Sequence, residues 1–189
     1  MNVYDFDQTI YYPDSSYHFF LYCLKKHPRF VLPVIPGAVR LALRYRRGDT
    51  TAKQLKQHLF SFLNRLESTE ETVAAFWEEH RENLQDWYLR QLREDDVIIS
   101  ASPAFLLEPI ARELGVTLIA TPMDSRSGQI HGENCHDEEK VRRFYEKYPD
   151  AEIEAFYSDS LSDAPMARLA KTAYLVKKGE LLDWPSEER

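Results

Sequence analysis

The sequence predicts an α/β fold: a small Rossmann-like parallel sheet with a helical cap inserted after its first strand. Three observations carry this expectation. A short apolar run, Asn2 to Tyr4, ends in the acids Asp5 and Asp7. A stretch from about Ser15 to Arg93 then shows helical spacing and no strand signal. After it, apolar runs alternate with helical patterns, as parallel strands covered on both faces require. The division that follows is a core of residues 1–13 and 94–189 and a cap of residues 14–93. Flexible joints are expected near Pro13-Asp14 and from Arg93 to Asp96.

Within the cap, Thr50 or Thr51 can cap a helix carrying Leu55, Leu59, Phe62, Leu63 and Leu66 on one face. Ser68 and Glu71 have capping-box spacing. The next helix places Val73, Phe76, Trp77, His80, Leu84 and Trp87 at three- and four-residue steps. In the core, Val97 to Ile99 reads as a strand. Ser102 reads as the cap of the helix that follows, with Pro103 at its first position and Gly115 ending it. Val116 to Ala120, Ile153 to Tyr157 and Ala173 to Val176 read as further strands. Asp137 can cap a helix with Val141, Phe144 and Tyr145 inward, and a last helix lies near Pro165 to Ala170.

Hydrophobic residues make up 43% of the 189 residues and charged residues 29%, a globular composition long enough to bury a core. The net charge of −7 argues against general nucleic-acid binding. Cys23 and Cys135 stand far apart. The chain opens MNVYDFDQT, with acids where a secretion signal would be basic and then apolar. Both features point to a reducing, cytoplasmic setting. Charge is uneven, however. From Ser15 to Gly48 there is no Asp or Glu, while Lys25, Lys26, Arg29, Arg40, Arg44, Arg46 and Arg47 all fall there.

In open α/β sheets, ligands bind beyond the carboxyl ends of the strands. Asp5, Asp7 and Thr9 follow the first apolar run, Ser100 follows the second, and Asp159 and Asp163 follow Ile153 to Tyr157. Lys140, near a helix start, can reach the same edge. These groups fit phosphoryl transfer through a carboxylate nucleophile. Asp5 and Asp159 would supply hard oxygens suited to Mg²⁺. Asp7 stands where an acid can protonate the leaving oxygen and later activate water. Ser100 can donate to the phosphoryl group, and Lys140 can offset its charge.

The set DFDQT (Asp5 to Thr9), IISAS (Ile98 to Ser102), Lys140 within NCHDEEKVRR, and YSDSLSD (Tyr157 to Asp163) resembles the four signature motifs of the haloacid dehalogenase superfamily. The insertion after the first motif resembles its phosphoserine-phosphatase-like branch, subfamily IB. The resemblance implies Asp5 as nucleophile and Asp7 as acid/base. It implies Ser100 and Lys140 as phosphate ligands, with Thr9 and Ala101 beside them. It also implies Mg²⁺ held by Asp5, Asp159 and the Asp7 carbonyl, and Asp163 orienting metal-bound water or Lys140. Phosphoserine phosphatases usually carry Ser-Gly-Gly and Gly-Asp-Gly where this chain has Ser100-Ala101-Ser102 and Ser158-Asp159-Ser160. Those variants look more like the branch that includes phosphatidylglycerophosphate phosphatase C. The implied activity is phosphomonoester hydrolysis of a phosphorylated small molecule, with a lipid-headgroup phosphate or transfer to an acceptor alcohol as alternatives.

Other features have two readings. Asp14 is either a turn residue or a cap-side substrate contact. Tyr11-Tyr12 and Phe19-Phe20 read as core or cap lining. His131, Cys135 and His136 resemble a metal cluster only superficially. Phe30 to Leu43 is fourteen residues long and contains Arg40, too short and too broken to span a bilayer. With Pro33, Pro36 and Gly37 as breakers, it reads as a buried hairpin. Its basic flanks give the sharper alternative, peripheral contact with an anionic membrane through residues 25–47.

Overall fold

The computed structural model describes residues 1–186. Strand β1 (Asn2–Tyr4) is followed by α1 (Ser15–Lys26), α2 (Pro28–Val31), α3 (Ile35–Arg46), α4 (Ala52–Leu59), α5 (Thr69–His80) and α6 (Asp86–Gln91). The chain then alternates: β2 (Val97–Pro103), α7 (Ala104–Leu114), β3 (Thr117–Thr121), α8 (Glu138–Lys147), β4 (Ile153–Ser158), α9 (Ala164–Ala167) and β5 (Ala170–Lys177), ending in β6 (Glu180–Asp183). The sheet order is β3-β2-β1-β4-β5-β6. Every pairing is parallel except β5 with β6. The chain fills the sheet on one side of β1 through β2 and β3, then on the other through β4 and β5. The direction reverses between β1 and β4, so the ligand crevice belongs beyond their carboxyl ends.

Successive strand residues point to opposite faces. Val3, Val97, Ile99 and Phe156 pack on one face with Phe144 and Met166, under α8 and α9. Tyr4, Ile98 and Tyr157 pack on the other with Leu106, Leu107 and Ile110 of α7. Both faces are buried, which is why these strands read as continuous apolar runs. The second cluster runs on without a break into Phe19, Tyr22, Phe60, Phe76 and Trp77 of the inserted helices. Trp77 Nε1 donates to Leu106 O at 2.6 Å, joining α5 to α7.

Helix α4 rides on the loop that leads from β3 to α8. Lys53 donates to Gly132 O, Lys56 Nζ to Asn134 Oδ1 at 2.9 Å, and Gln57 Oε1 accepts from Ile130 N at 3.2 Å. Gly128 in that loop has φ +70, and a Cβ there would lie 2.5 Å from Phe60 O. Only glycine allows this approach.

Several expectations are corrected. Thr51 does cap α4, with the full reciprocal box to Gln54. The helix stops at Leu59, however, and Phe62 and Leu63 sit on a separate 3-10 turn. Ser61 Oγ donates to His58 O at 2.7 Å, taking up a carbonyl at the helix end. Likewise α5 stops at His80, so Leu84 and Trp87 lie beyond it. Phe30 to Leu43 is not a buried hairpin. Pro36 sits in the first turn of α3, where a missing N–H costs nothing. Leu32, Val39 and Leu43 are each more than half exposed. Asp137 makes no side-chain cap. Strand β6 was not foreseen. Its turn, Lys178-Gly179, has positive φ at both residues, the geometry of a two-residue hairpin. Among the described residues, no helix is long and apolar enough to cross a membrane.

Candidate active site

Strands β2, β1 and β4 lie side by side, so the residues that end them meet at one edge. Asp5 follows β1 directly, and its N–H donates to Tyr157 O at 2.8 Å. The side chain is buried, and Oδ1 accepts from Lys140 Nζ at 2.6 Å. Lys140 is the third residue of α8, and it also donates to Asp163 Oδ2 at 2.7 Å. Ser158 Oγ holds the same Asp163 oxygen at 2.7 Å. Asp5, Lys140 and Asp163 thus form a buried acid–base–acid triplet.

Burial pushes the Asp5 carboxyl up to about 8, with Asp163 and Asp7 adding to the push and Lys140 opposing it. Burial works against charge on Lys140 too, but the carboxylates of Asp5 and Asp163 win and hold it above the usual lysine range.

Asp7 is held from two sides. Ser15 N, the first amide of α1, donates to Oδ1 at 2.6 Å. Ser102 Oγ donates to Oδ2 at 2.5 Å, with Ser100 Oγ at 3.5 Å from the same atom. Ser100 in turn accepts from Ser102 N at 3.0 Å. Ser102 is therefore not a helix cap. It lies within β2, and α7 starts after Pro103 with no side-chain cap.

Thr9 is fully buried, and its Oγ1 accepts from Asp159 N at 2.9 Å. It braces the loops after β1 and β4. Ala101 O accepts from Lys56 Nζ and from Thr121 Oγ1, both at 2.7 Å. Asp159 O accepts from Lys177 Nζ at 2.5 Å, and burial raises the Asp159 carboxyl above its usual range. Asp14 caps α1, accepting from Tyr17 N at 2.7 Å, and burial lifts it to about 6 with Asp7 adding.

Lys56 was missed by the sequence reading. Its ammonium sits between the Ala101 carbonyl and Asn134, and burial lowers it below the usual lysine range, against the pull of Asp7 and Asp14. A lysine beside Leu55 on an amphipathic helix reads as solvated flank, and its partners lie 45 and 78 residues away.

The donor set fits a hard divalent cation that keeps much of its water. Asp5 uses one carboxylate oxygen on Lys140, and the other has no hydrogen-bond donor among the described residues. The Asp159 carboxylate has none there either. Among the described residues, no three acidic, histidine or cysteine side chains form an all-protein cage. Mg²⁺ takes one or two carboxylates and needs no such cage.

A family model for the haloacid dehalogenase-like hydrolases matches residues 3–168. The chain belongs to the haloacid dehalogenase-like hydrolase family. Protein CicA of Caulobacter vibrioides is 29% identical over 197 aligned residues, covering 94% of this chain and 86% of CicA. A structure of a Bordetella pertussis Tohama I protein of unknown function superposes with a TM-score of 0.73 at 25% identity, covering 92% of this chain and 87% of that one. A phosphoserine phosphohydrolase-like protein of Francisella tularensis shares the fold, with a TM-score of 0.57 at 16% identity over 92% of this chain and 86% of its own. In this hydrolase family member, the four motifs therefore meet at one crevice of the expected sheet.

Proposed function

We propose that the chain is a Mg²⁺-dependent phosphomonoester hydrolase that takes the phosphoryl group onto Asp5. The observation that carries this reading is the meeting of Asp5, Asp7, Ser100 and Lys140 at the switch of the sheet. Residues 1–13 and 94–189 would form the catalytic core, and residues 14–93 its cap.

In this mechanism Asp5 attacks phosphorus while the ester oxygen departs. Asp7 gives that oxygen its proton. Asp7 then takes a proton from water, which attacks phosphorus, releases inorganic phosphate and restores Asp5. Ser100 donates to a phosphoryl oxygen, and Lys140 balances charge on Asp5 and the phosphoryl group. Asp163 keeps Lys140 charged and in place. Asp5, Asp159 and the Asp7 carbonyl would hold Mg²⁺, which when bound neutralises phosphate charge and opposes that of the carboxylates.

A second reading within this class has an observation in its favour. A cavity of about 710 Å³ opens within the helical block, lined by Phe20, Leu24, Ile35, Val39 and Leu55. Asp14, Ser16 and Lys56 also line it. Ser16 and Lys56 bond to Ser102 and Ala101 of the catalytic edge, so the polar end of the cavity adjoins Asp7. Ligand pockets are commonly apolar with a few polar groups. A phosphate ester with an apolar chain, such as a lipid phosphate, would place its chain there. The basic segment 25–47, with Leu32, Val39 and Leu43 exposed, would suit contact with an anionic membrane.

The test is a Mg²⁺-dependent screen over phosphomonoesters of increasing chain length. Phosphate release that survives EDTA would reject the metal assignment. Equal kcat/KM for short and long chains would reject the lipid reading while leaving the phosphatase reading intact.

A further inference from the structure

The hydroxyl of Ser102 has one proton and two lone pairs. Its proton goes to Asp7 Oδ2 at 2.5 Å. It lies 2.7 Å from Ser16 Oγ and accepts from Ser15 Oγ at 3.2 Å. With its own proton committed to Asp7, Ser102 must accept from Ser16 as well. The chain of hydroxyls therefore runs one way, from the first turn of α1 through Ser102 to Asp7. Ser15 and Ser102 are both buried, so water does not compete for these bonds. The other Asp7 oxygen is held by Ser15 N, again from α1.

We infer that Ser102 is a positioning residue for Asp7, and that it makes the orientation of this carboxyl depend on the seating of α1 against the sheet edge. The inference rests on the acid/base reading of Asp7. With α1 in place, both oxygens of Asp7 have fixed donors, and the side chain is set beside Ser100. Without the Ser102 hydroxyl, Oδ2 keeps only the long 3.5 Å contact to Ser100. The carboxyl is then free to turn away from the leaving oxygen. Ser102 touches no reacting atom, so its loss acts on kcat through Asp7 and leaves substrate binding nearly unchanged.

The test is a double-mutant cycle of Ser102→Ala and Asp7→Asn, with p-nitrophenyl phosphate as substrate and folding checked by thermal melting. Ser102→Ala is expected to lower kcat roughly 10- to 100-fold, the size of a hydrogen bond to a charged group, with KM changed less than about threefold. In the Asp7→Asn background the same change should cost less than about twofold, because its target is already gone. If Ser102→Ala does not fold, Ser16→Ala cuts the same chain one hydroxyl earlier. It should give a smaller loss that also vanishes with Asp7→Asn. A loss of equal size in both backgrounds, or wild-type kcat for the folded single variant, overturns the inference. Wild-type turnover of Asp7→Asn alone would instead remove the acid/base reading beneath it.

Discussion

At the sheet edge, charged groups are locked against one another: Lys140 lies 2.6 Å from Asp5 and 2.7 Å from Asp163, and all three are buried. In the helical block above it, the cavity is walled by apolar side chains, and among the described residues that line it the charged ones are Asp14 and Lys56. The edge offers strong, fixed electrostatics with little tolerance. Away from the first turn of α1 and from Lys56, which bond to the edge, the block offers shape and a hydrophobic surface that can vary without touching the reaction. Chemistry should therefore fail sharply when the edge is altered. Substrate choice should shift gradually when the block is altered.

The largest effect belongs to the edge. Asp5→Asn should lower phosphate release by more than about 10³-fold, as loss of a nucleophile does. Residual activity within tenfold of wild type would put the nucleophile elsewhere. Lys140→Met should combine two losses. Activity should fall, and stability of the metal-free protein should drop by about 3–5 kcal/mol, because two buried carboxylates lose their counter-charge. Urea unfolding in EDTA measures the second loss, and an unchanged midpoint would mean that the triplet is not a strong pair.

Between the two regions, Gly128→Ala tests the seam. The new Cβ meets Phe60 O at 2.5 Å in a backbone with positive φ, so about 1–3 kcal/mol should be lost. A denaturation midpoint equal to wild type would show that the block shifts freely over the loop. The smallest effects lie inside the block. Ala42→Trp projects into the cavity and should lower kcat/KM for long-chain esters about tenfold, while short esters change less than about threefold. Equal losses for both would mean that the cavity is not part of the substrate path.

The same contrast governs what the sequence disclosed. The acids Asp5, Asp7 and Asp159 each follow an apolar run, and a strand end fixes where such residues go. That they gather at one edge was legible from local pattern and motif; the strand order that sets them side by side was not. Ser102 was misread because Ser-Pro is a familiar helix start. The strand instead continues to Pro103, with its register to β3 shifting between Ser100 and Pro103. Lys56 was invisible because its meaning lies in residues far along the chain. The helical block was recognised as helical, yet its breaks were not. A 3-10 turn and an α-helix both satisfy three-residue spacing, and the ends are decided by single bonds such as that of Ser61. Strand β6 escaped because all four of its residues are exposed and carry no apolar alternation.

The claim that joins both regions is that Asp5 carries the phosphoryl group between substrate and water. The direct measurement is rapid acid quench of the Mg²⁺-loaded enzyme during turnover of a ³²P-labelled ester, followed by peptide mapping. A base-labile label is expected on the peptide containing Asp5, more abundant in Asp7→Asn and absent from Asp5→Asn. Turnover with no protein-bound label in either the wild type or Asp7→Asn, or a label on another residue, would contradict it.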